Sequence, residues 1–522
     1  MSEVFDVIVI GSGHNGLTTA GYLAKAGKSV LILEGESHYG GGVATREVTV
    51  PGFKHDLHSA NHLTIQFNPL ITRDELKLKS KYGLEYIRPV ADISTIFTDG
   101  SCLISYADIT RTLDSIAVFS KKDADAYNKL YKEGLEFAPL AIEGMFVPPP
   151  PFGAFVAMLD QSATGRNVLH DLQRSVWDVL NERFESDQLK IHIMRILSEH
   201  FVDPGTGGEG GTAFLYPAML DKAGFCTPRG GSGALVDAMI RQLEDHGAVL
   251  RANSKVVKVL TSKGKAEGVR LADGTEIRAR ELVVGQIHPY NLPKLVDGLD
   301  DQILYEIERA EHSTFSCCTA HYALDAPPKY SHEDLNDSWC NGLTTPSLKE
   351  FMTVFYDLRK GEIPKVPSIG TMSTHKVDPT RNPAGKATFL AWRVAPFKLE
   401  DGRKWEDIRA EVEEETLDMI DSFLPGLKSN VIGKAFDTPE DIAAHTPTFQ
   451  FGDVTGLSGS FAQSQSHRPT PSLGQYAVPG VENLYLAGTF MHPSVGGVTG
   501  GGRATAVKIF GDKGWDFDKV TT

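Results

Sequence analysis

The chain has few cysteines for its length, and their spacing argues against two kinds of site. Its 522 residues include five cysteines, which are Cys102, Cys226, Cys317, Cys318 and Cys340. Their number is odd and no Cys-x-x-Cys pair occurs, so the pattern indicates neither a disulfide framework nor a zinc site. A redox-active disulfide is not expected either. The cysteines are typical of ordinary thiols in a reducing compartment.

The chain also lacks a basic surplus and a long apolar run. Its 52 lysines and arginines are outnumbered by 67 aspartates and glutamates, which gives a formal net charge of -15. That balance argues against a nucleic-acid partner. No run of about 18 apolar residues occurs, so we expect no membrane-spanning helix. The first strand begins by about Phe5, which leaves no room for a signal peptide, and we expect a cytoplasmic location.

What the sequence does have is a glycine pattern near its start. A run rich in β-branched residues, VFDVIVI, is followed by Gly11, Gly13 and Gly16, then by a helical segment and a second strand that ends at Glu34. Gly11 permits a tight turn, Gly13 lets the backbone approach a pyrophosphate, and Gly16 lets the helix pack close to the strands. The Glu34 carboxylate suits ribose hydroxyls. This order predicts a Rossmann-type dinucleotide site.

Two further glycine clusters favour FAD over NAD. The first, residues 40–42, follows Glu34 closely and lets the backbone run along an extended dinucleotide. The second comes near the end of the chain, where the strand NLYLAG ends at Gly488 and the turn 496–502 leads into an apolar helix. The N-terminus of that helix stabilises negative charge, as a reduced flavin requires. No second complete G-x-G-x-x-G with a terminal acid occurs, so we expect no separate NAD(P)H domain.

Several segments together resemble the phytoene desaturase-like branch of the flavin amine oxidase superfamily, which also holds carotenoid isomerases. They are GSGHNGL, GGGVATREVTVPGF, residues 228–260, GVRLADGTEIRARELVVG, VDPTRNPAGK and LYLAGTFMHPSVGGVTG. The resemblance implies an α/β fold, with a discontinuous Rossmann-like FAD-binding domain and an inserted α+β substrate or cap domain. It implies FAD-binding pieces at 1–74, 220–300 and 450–522, and substrate-domain pieces at 75–219 and 301–449.

The resemblance also implies which residues bind FAD, position by position. The FAD diphosphate is expected to bind Gly11, Gly13 and Gly16, and the adenosine ribose is expected to bind Glu34. The stretch from the diphosphate to the ribityl chain is expected to lie against Gly41 and Gly42. Adenine would pair with the backbone of Val256, the ribityl chain would face Gly488, and the flavin pyrimidine would lie at Val498. Thr489 stands where many flavoproteins carry an acid, so no ribityl-binding carboxylate is expected there.

Three residues are candidates for catalysis. His58, next to Ser59, follows the second glycine cluster, where the family places backbone against the flavin face. His492 lies in the C-terminal glycine-rich turn, and Tyr476 precedes the final strand. For each of them a structural hydrogen bond to the backbone is the alternative role. Nearby His55 and His62 have a spacing like that of metal ligands, but no carboxylate or cysteine constellation completes a site with them, so we expect no metal.

The leading hypothesis for function is an FAD-dependent dehydrogenase or desaturase. It would transfer a hydride from a C–H bond of a hydrophobic, alicyclic or isoprenoid-like small molecule to flavin N5. The electrons would leave to oxygen, a quinone or another acceptor. The alternatives are a flavin amine oxidase, a redox-neutral isomerase that needs reduced FAD, and a non-enzymatic carrier like the GDP-dissociation inhibitors. The intact glycines and Glu34 argue against the carrier.

One apolar segment, residues 145–159, contains four consecutive prolines, Pro148–Pro151. It is too short to span a membrane. In related desaturases apolar cap segments dip into a membrane, so this segment is either a lip that makes peripheral membrane contact, a channel wall, or a rigid loop packed on the cap.

Overall fold

The computed structural model describes residues 3–493 and 499–522, so Val498 lies outside the described residues. The strands in chain order are β1 Val4–Ile10, β2 Val30–Leu33, β3 Thr45–Arg46, β4 His55–Asp56, β5 Tyr86–Ile87, β6 Ala91–Phe97, β7 Cys102–Tyr106, β8 Thr227–Pro228, β9 Val249–Arg251, β10 Val256–Ser262, β11 Lys265–Leu271, β12 Glu276–Gly285, β13 Ser316–Leu324, β14 Ser338–Thr344, β15 Ser368–Ser373, β16 Ala387–Ala395, β17 Val431–Asp437 and β18 Leu484–Leu486.

The α-helices are α1 His14–Lys25, α2 Pro69–Thr72, α3 Ile109–Ala117, α4 Lys121–Met145, α5 Phe152–Asp160, α6 Ala163–Gln173, α7 Val176–Arg183, α8 Asp187–Ser198, α9 Gly210–Ala223, α10 Gly233–Asp245, α11 Leu292–Leu295, α12 Asp301–Glu308, α13 Leu348–Lys360, α14 Trp405–Phe423, α15 Pro439–His445, α16 Gly500–Lys513 and α17 Asp518–Thr521.

The first sheet has the strand order β10-β11-β12-β1-β2-β9, with β18 paired to the end of β12. Strand β1 pairs in parallel with β12 and β2. Alternate residues of β1 and β2 belong to two hydrophobic cores, one on each face of the sheet. Val7 and Val9 pack with α1, α10 and α16, whereas Ile8 and Ile10 pack on the opposite face. Both faces are covered, which is why these strands are uninterrupted apolar runs. The sheet therefore has the expected Rossmann-like character.

The second sheet has the order β17-β13-β16-β15-β14-β6-β7 and is antiparallel except where β14 pairs with β6. One face packs against α14, through Trp405, Ile408 and Val412. The opposite face joins a core that includes residues of α4 and α7 to α9. In chain order, the strands of this second sheet are inserted between strands of the first sheet. The α/β fold with an inserted α+β domain is thus confirmed, while the exact domain bounds stay a prediction.

Helix α14 shows why a helix forms in the inserted domain. The buried residues Trp405, Ile408, Val412 and Ile420 recur at helical spacing, which makes one apolar face.

Within the described residues, helices long and apolar enough to cross a membrane do not occur. Within residues 145–159, the four consecutive prolines lie in the irregular link between α4 and α5, and α5 forms the part of the segment from Phe152 onward.

Candidate active site

A cavity of about 570 Å³ lies between the two sheets. One part of its wall comes from the first sheet and includes Gly11, Glu34 and Gly488. Another part comes from the second sheet and includes Met372 and Trp392. The cavity therefore joins the predicted dinucleotide site to the predicted substrate domain. This is a usual position for a cofactor and substrate to meet.

The first glycine cluster forms the turn between β1 and α1. Gly11 has a φ of +87°, which favours glycine, and Gly13 is the N-cap of α1. Gln286, which follows β12, donates from Nε2 to the carbonyl oxygens of Gly11 (2.7 Å) and Gly13 (3.2 Å). A Cβ on Gly13 would lie 2.6 Å from Gln286 Oε1, and one on Gly16 would overlap the same side chain. As in any α-helix, the first amides of α1 have no carbonyl partner within the helix, so this end of α1 can bind an anion.

Glu34 immediately follows β2 and is held at the cavity wall. Its Oε2 accepts hydrogen bonds from Ser12 N (2.8 Å) and Ser12 Oγ (2.6 Å), and its Oε1 accepts one from Glu36 N (3.0 Å). Val256, the first residue of β10, lines the same region. These contacts orient a carboxylate where the sequence places the adenosine ribose. The individual binding roles stay predictions.

The second glycine cluster lies beside the first. Gly41 has a φ of +58°, and a Cβ there would lie 3.2 Å from the Cα of Gly13. A Cβ on Gly42 would lie 2.5 Å from Cζ of Phe449. Gly488, just after β18, also lines the cavity. Glycines from both ends of the chain thus contribute to one wall, and Val498 lies outside the described residues.

Three buried polar atoms at the cavity wall lack protein partners within residues 3–493 and 499–522. They are Nδ1 of His14, at the start of α1, Oδ1 of Asn61, and Oγ1 of Thr489, after β18. All three residues line the cavity. Buried polar atoms are normally satisfied, so a ligand with polar groups suits this wall. Together with the glycine turns and Glu34, they fit a bound FAD.

His58 lies in the cavity wall two residues after β4 and shares a 2.8 Å hydrogen bond, Nε2 to Nδ1, with His445. His445 ends α15, a helix that Thr438 and Asp441 fix by a capping box. Nε2 of His445 lies 3.9 Å from Oδ1 of Asp437, at the end of β17. Burial, and then the neighbouring His445, lowers the pKa of His58 to about 3. Burial raises the pKa of Asp437.

The other two catalytic candidates are not among the residues that line the cavity. Tyr476 is fully buried, and its hydroxyl donates to the carbonyl oxygen of His492 at 3.1 Å. His492 Nε2 lies 2.9 Å from the carbonyl oxygen of Gly144, and burial lowers the pKa of His492 to about 4. Both side chains therefore already have backbone partners. The structure brings His58, but neither of these, to the cavity wall.

Some residues of the wall were not singled out from the sequence. His445 and Gln286 contact the predicted residues but lie far from them in the chain. Gln286 could have been predicted from the sequence, because it directly follows β12, and a polar residue at the carboxyl end of a parallel strand faces the ligand crevice. No local pattern indicates His445.

The fold and the cavity define the class of protein, a flavin-dependent oxidoreductase. Residues 118–509 match the family described as flavin containing amine oxidoreductase, and residues 9–73 match an NAD(P)-binding Rossmann-like domain. The chain belongs to the flavin containing amine oxidoreductase family. The expected family, the enzyme class and FAD as cofactor are thereby confirmed.

Individual relatives are similar over nearly the whole length. Pyridine nucleotide-disulfide oxidoreductase domain-containing protein 2 from Rattus norvegicus is 28% identical, over 97% of this chain and 94% of the relative. A limonene dehydrogenase subunit from Castellaniella defragrans is 25% identical, over 97% and 95%. The solved structure of cyclohexylamine oxidase from Brevibacterium oxydans is 16% identical, with a TM-score of 0.58, over 98% and 99%. The last likeness shows the fold alone.

Proposed function

We propose that the protein is an FAD-dependent dehydrogenase or desaturase of a hydrophobic, alicyclic or isoprenoid-like small molecule. The observation that carries this proposal is the apolar lining of the cavity beyond the glycine clusters. The lining residues there include Ala60, Phe201, Met372, Leu390, Trp392, Phe449 and Val454. Such a wall binds apolar molecules and excludes water from the reaction. The similarity to a limonene dehydrogenase supports the same substrate class.

FAD, when bound, supplies the acceptor for a hydride from the substrate C–H bond. The residues of this chain hold the cofactor, orient the substrate and accept the proton that a desaturation also releases. His58 is neutral at neutral pH because its pKa is low. It would take the substrate proton at Nδ1 while passing its Nε2 proton to Nδ1 of His445, so that the positive charge ends on His445, whose side chain is partly exposed. The Asp437 carboxylate, with Oδ1 3.9 Å from Nε2 of His445, stabilises the imidazolium that forms there.

The proposal is tested by anaerobic reduction of the purified flavoprotein. Cyclic and acyclic monoterpenes and a matched series of amines are added, and loss of the oxidised flavin absorbance is followed. We expect terpenoid compounds to bleach the flavin and the amines to leave it oxidised. Bleaching by amines alone would favour an amine oxidase, and product formation without net flavin reduction would favour the isomerase. Oxygen and a soluble quinone, added to the reduced enzyme, identify the electron acceptor.

We expect a cytoplasmic location, and we propose the lip role of residues 145–159 as peripheral membrane contact. Around this segment Leu140, Val147 and Met158 are 44%, 36% and 42% exposed. Exposed apolar side chains of this kind bind the acyl boundary of a bilayer. Sedimentation with phosphatidylcholine vesicles should carry the wild type, and Met158→Glu should remain in the supernatant. Equal sedimentation of both proteins would favour the rigid-loop or channel-wall role.

A further inference from the structure

The cavity wall contains one carboxylate that neither the predicted ribose region nor the proposed chemistry uses. Glu199 follows α8 and lines the cavity beside His200 and Phe201. The other carboxylates among the lining residues, Glu34 and Glu36, belong to the predicted ribose region. Glu199 instead lies near Trp392, on the side of the second sheet. Its side chain is 8% exposed, so its carboxylate is largely removed from water.

Glu199 is held in place by a buried arginine. Nη1 of Arg195, one turn earlier on α8, contacts Oε1 of Glu199 in an ion pair, and the Arg195 side chain is 1% exposed. Nε of Arg195 also approaches Oγ1 of Thr95 at 3.4 Å. Because the two opposite charges compensate each other, the pair does not require a charged ligand. Its geometry is fixed before any ligand binds.

The second sheet makes room for this pair by means of two glycines. A Cβ on Gly342, in β14, would overlap the guanidinium of Arg195. A Cβ on Gly370, in β15, would lie 2.6 Å from Oε1 of Glu199 and 2.8 Å from the indole ring of Trp392. The neighbouring strands thus leave space for a carboxylate next to the apolar wall. Any other residue at these positions would displace it.

One oxygen of Glu199 remains poorly satisfied by the described residues. Arg195 is the partner of Oε1, and the Sγ of Cys340 lies 3.5 Å from Oε1 and 3.6 Å from Oε2, so this shared thiol is the partner that the described residues offer Oε2. A thiol is a weak donor. A carboxylate oxygen that is removed from water without a good donor is costly. A ligand with an O–H or N–H group in the cavity would remove that cost, and a pure hydrocarbon would not.

We infer that Glu199 recognises a hydrogen-bond donor on the substrate, which is an apolar molecule that carries a hydroxyl or an amino group. This inference rests on the proposed function of the cavity as the substrate site. The donor binds Oε2 of Glu199, and the rest of the molecule lies along the apolar wall. Glu199 is then a specificity-determining residue that separates hydroxylated or aminated terpenoids from their parent hydrocarbons.

The test uses the FAD-loaded enzyme and sets of ligands that each share one carbon skeleton. Three skeletons are used, a six-membered ring, a C10 chain and a C15 chain. For each skeleton we titrate the alcohol, the methyl ether of that alcohol, the primary amine and the hydrocarbon, and we follow the flavin spectrum. The ether keeps the oxygen but has no donor. In the wild type we expect the donor compounds to bind about ten- to a hundredfold more tightly than the ether and the hydrocarbon. The alcohol and amine arms identify which donor is preferred.

Two variants separate recognition from a merely structural ion pair. Glu199→Gln should bring the alcohol-to-ether preference down to about two- or threefold without loss of FAD. Asp203→Asn is the matched control, because Asp203 is a buried carboxylate paired with Arg359 at 2.8 Å that does not line the cavity. It should keep the wild-type preference.

The inference would be overturned if no alcohol or amine bound the wild type better than its ether, which remains measurable whether or not Glu199→Gln folds. A full preference in Glu199→Gln would overturn it as well. Binding is measured without turnover. A preference that depends on Glu199 in an enzyme whose flavin is not reduced by these ligands would therefore refute the dehydrogenase proposal and leave the recognition site supported.

Discussion

At the scale of single residues, the glycine turn before α1 gives the sharpest prediction. A side chain on Gly13 would meet Gln286 and fill the space that the pyrophosphate needs. We expect Gly13→Val to abolish FAD binding. The measurement is the ratio of flavin released on denaturation to protein. A variant with a full complement of FAD would contradict the assignment of this turn.

The matched control for Gly13→Val is Gly511→Ala. Gly511 lies in α16, and a Cβ there would have no heavy atom within 4 Å. The new methyl group meets no neighbour, and alanine costs less backbone entropy in a helix than glycine. Its flavin content should equal that of the wild type, with stability unchanged or higher by about 0.5–1 kcal/mol.

His58 and His445 give a second prediction at this scale. His58→Ala should keep its FAD and slow flavin reduction by about a hundredfold, since proton transfer by a positioned side chain contributes about that much or more. His445→Gln should slow it less and should alter the pH dependence of the rate. Stopped-flow reduction by the best substrate of the terpenoid series measures both effects.

The control for this pair is His375→Asn. His375 bonds Ser373 at 2.8 Å and is absent from the cavity lining, so its loss should leave the reduction rate unchanged. If His445→Gln had the wild-type rate at every pH, the histidine path would be refuted and His58 alone would remain. Unchanged kinetics in His58→Ala would give His58 a structural role.

Some of these residues could be predicted from the sequence because their chemistry is local. Gly11, Gly13 and Glu34 belong to one strand–turn–helix–strand pattern, and each follows from its place in that pattern. His445 could not be predicted, since it is 387 residues from its partner His58. The same applies to Glu199, whose carboxylate enters the cavity only because Gly342 and Gly370 lie on other strands.

At the scale of elements, the contact between α1 and α16 joins the two ends of the chain. Gly502 N donates to Oδ1 of Asn15 at 2.9 Å, and Oγ1 of Thr19 donates to the carbonyl oxygen of Gly502 at 2.8 Å. A Cβ on Gly502 would overlap the backbone of Asn15. The close approach of the helices therefore depends on this glycine.

We expect Gly502→Ala to force α1 and α16 apart and to destabilise the protein by about 1–3 kcal/mol. Because both helices begin at the cavity wall, FAD affinity should fall as well. Chemical denaturation and flavin titration measure the two effects. Gly511→Ala, on the same helix, is again the control, and equal stability of the two variants would show that the helices can separate without cost.

Elements with strong patterns were predictable, and their packing was not. The strand around Cys317 and Cys318 and the helix α14 follow from period and apolar content. The order of the second sheet joins β6 to β14, which pair in parallel although more than 200 residues separate them. Such a pairing depends on the whole inserted domain, so no local pattern specifies it. Tyr476 illustrates the same limit, because only the packed structure shows its hydroxyl bonded to the backbone.

At the scale of the whole molecule, many histidines are buried and neutral. Burial is the main cause that lowers the pKa of His55 to about 2, of His14, His58 and His192 to about 3, and of His62, His288, His321 and His492 to about 4. Burial has the opposite effect on Glu209, whose pKa it raises to about 7. The balance between these groups sets how folding responds to acid.

A histidine whose pKa falls on folding binds fewer protons in the native state than in the unfolded state. Its contribution to stability is therefore complete above the unfolded pKa of about 6.5 and is lost as the pH falls towards the folded value. A carboxyl group with a raised pKa contributes stability below about 4.3 that is lost as the pH rises through 7. The eight histidines outnumber Glu209 and the aspartates whose pKa burial also raises, such as Asp92 and Asp437, so stability should fall as the medium is acidified below about pH 6.5.

We therefore expect the free energy of unfolding, measured by urea denaturation with excess FAD, to drop steeply between pH 7.5 and pH 5.5. Each histidine that is charged only in the unfolded state costs about 1.4 kcal/mol at pH 5.5. His192 tests the cause, because it is buried between Oγ1 of Thr95 (2.8 Å) and Oγ of Ser105 (3.0 Å). His192→Gln should be less stable at pH 7.5 yet lose about 1.4 kcal/mol less on acidification. A stability that stays level over this range, or an unchanged slope in His192→Gln, would show that these histidines are charged or solvated in the native protein.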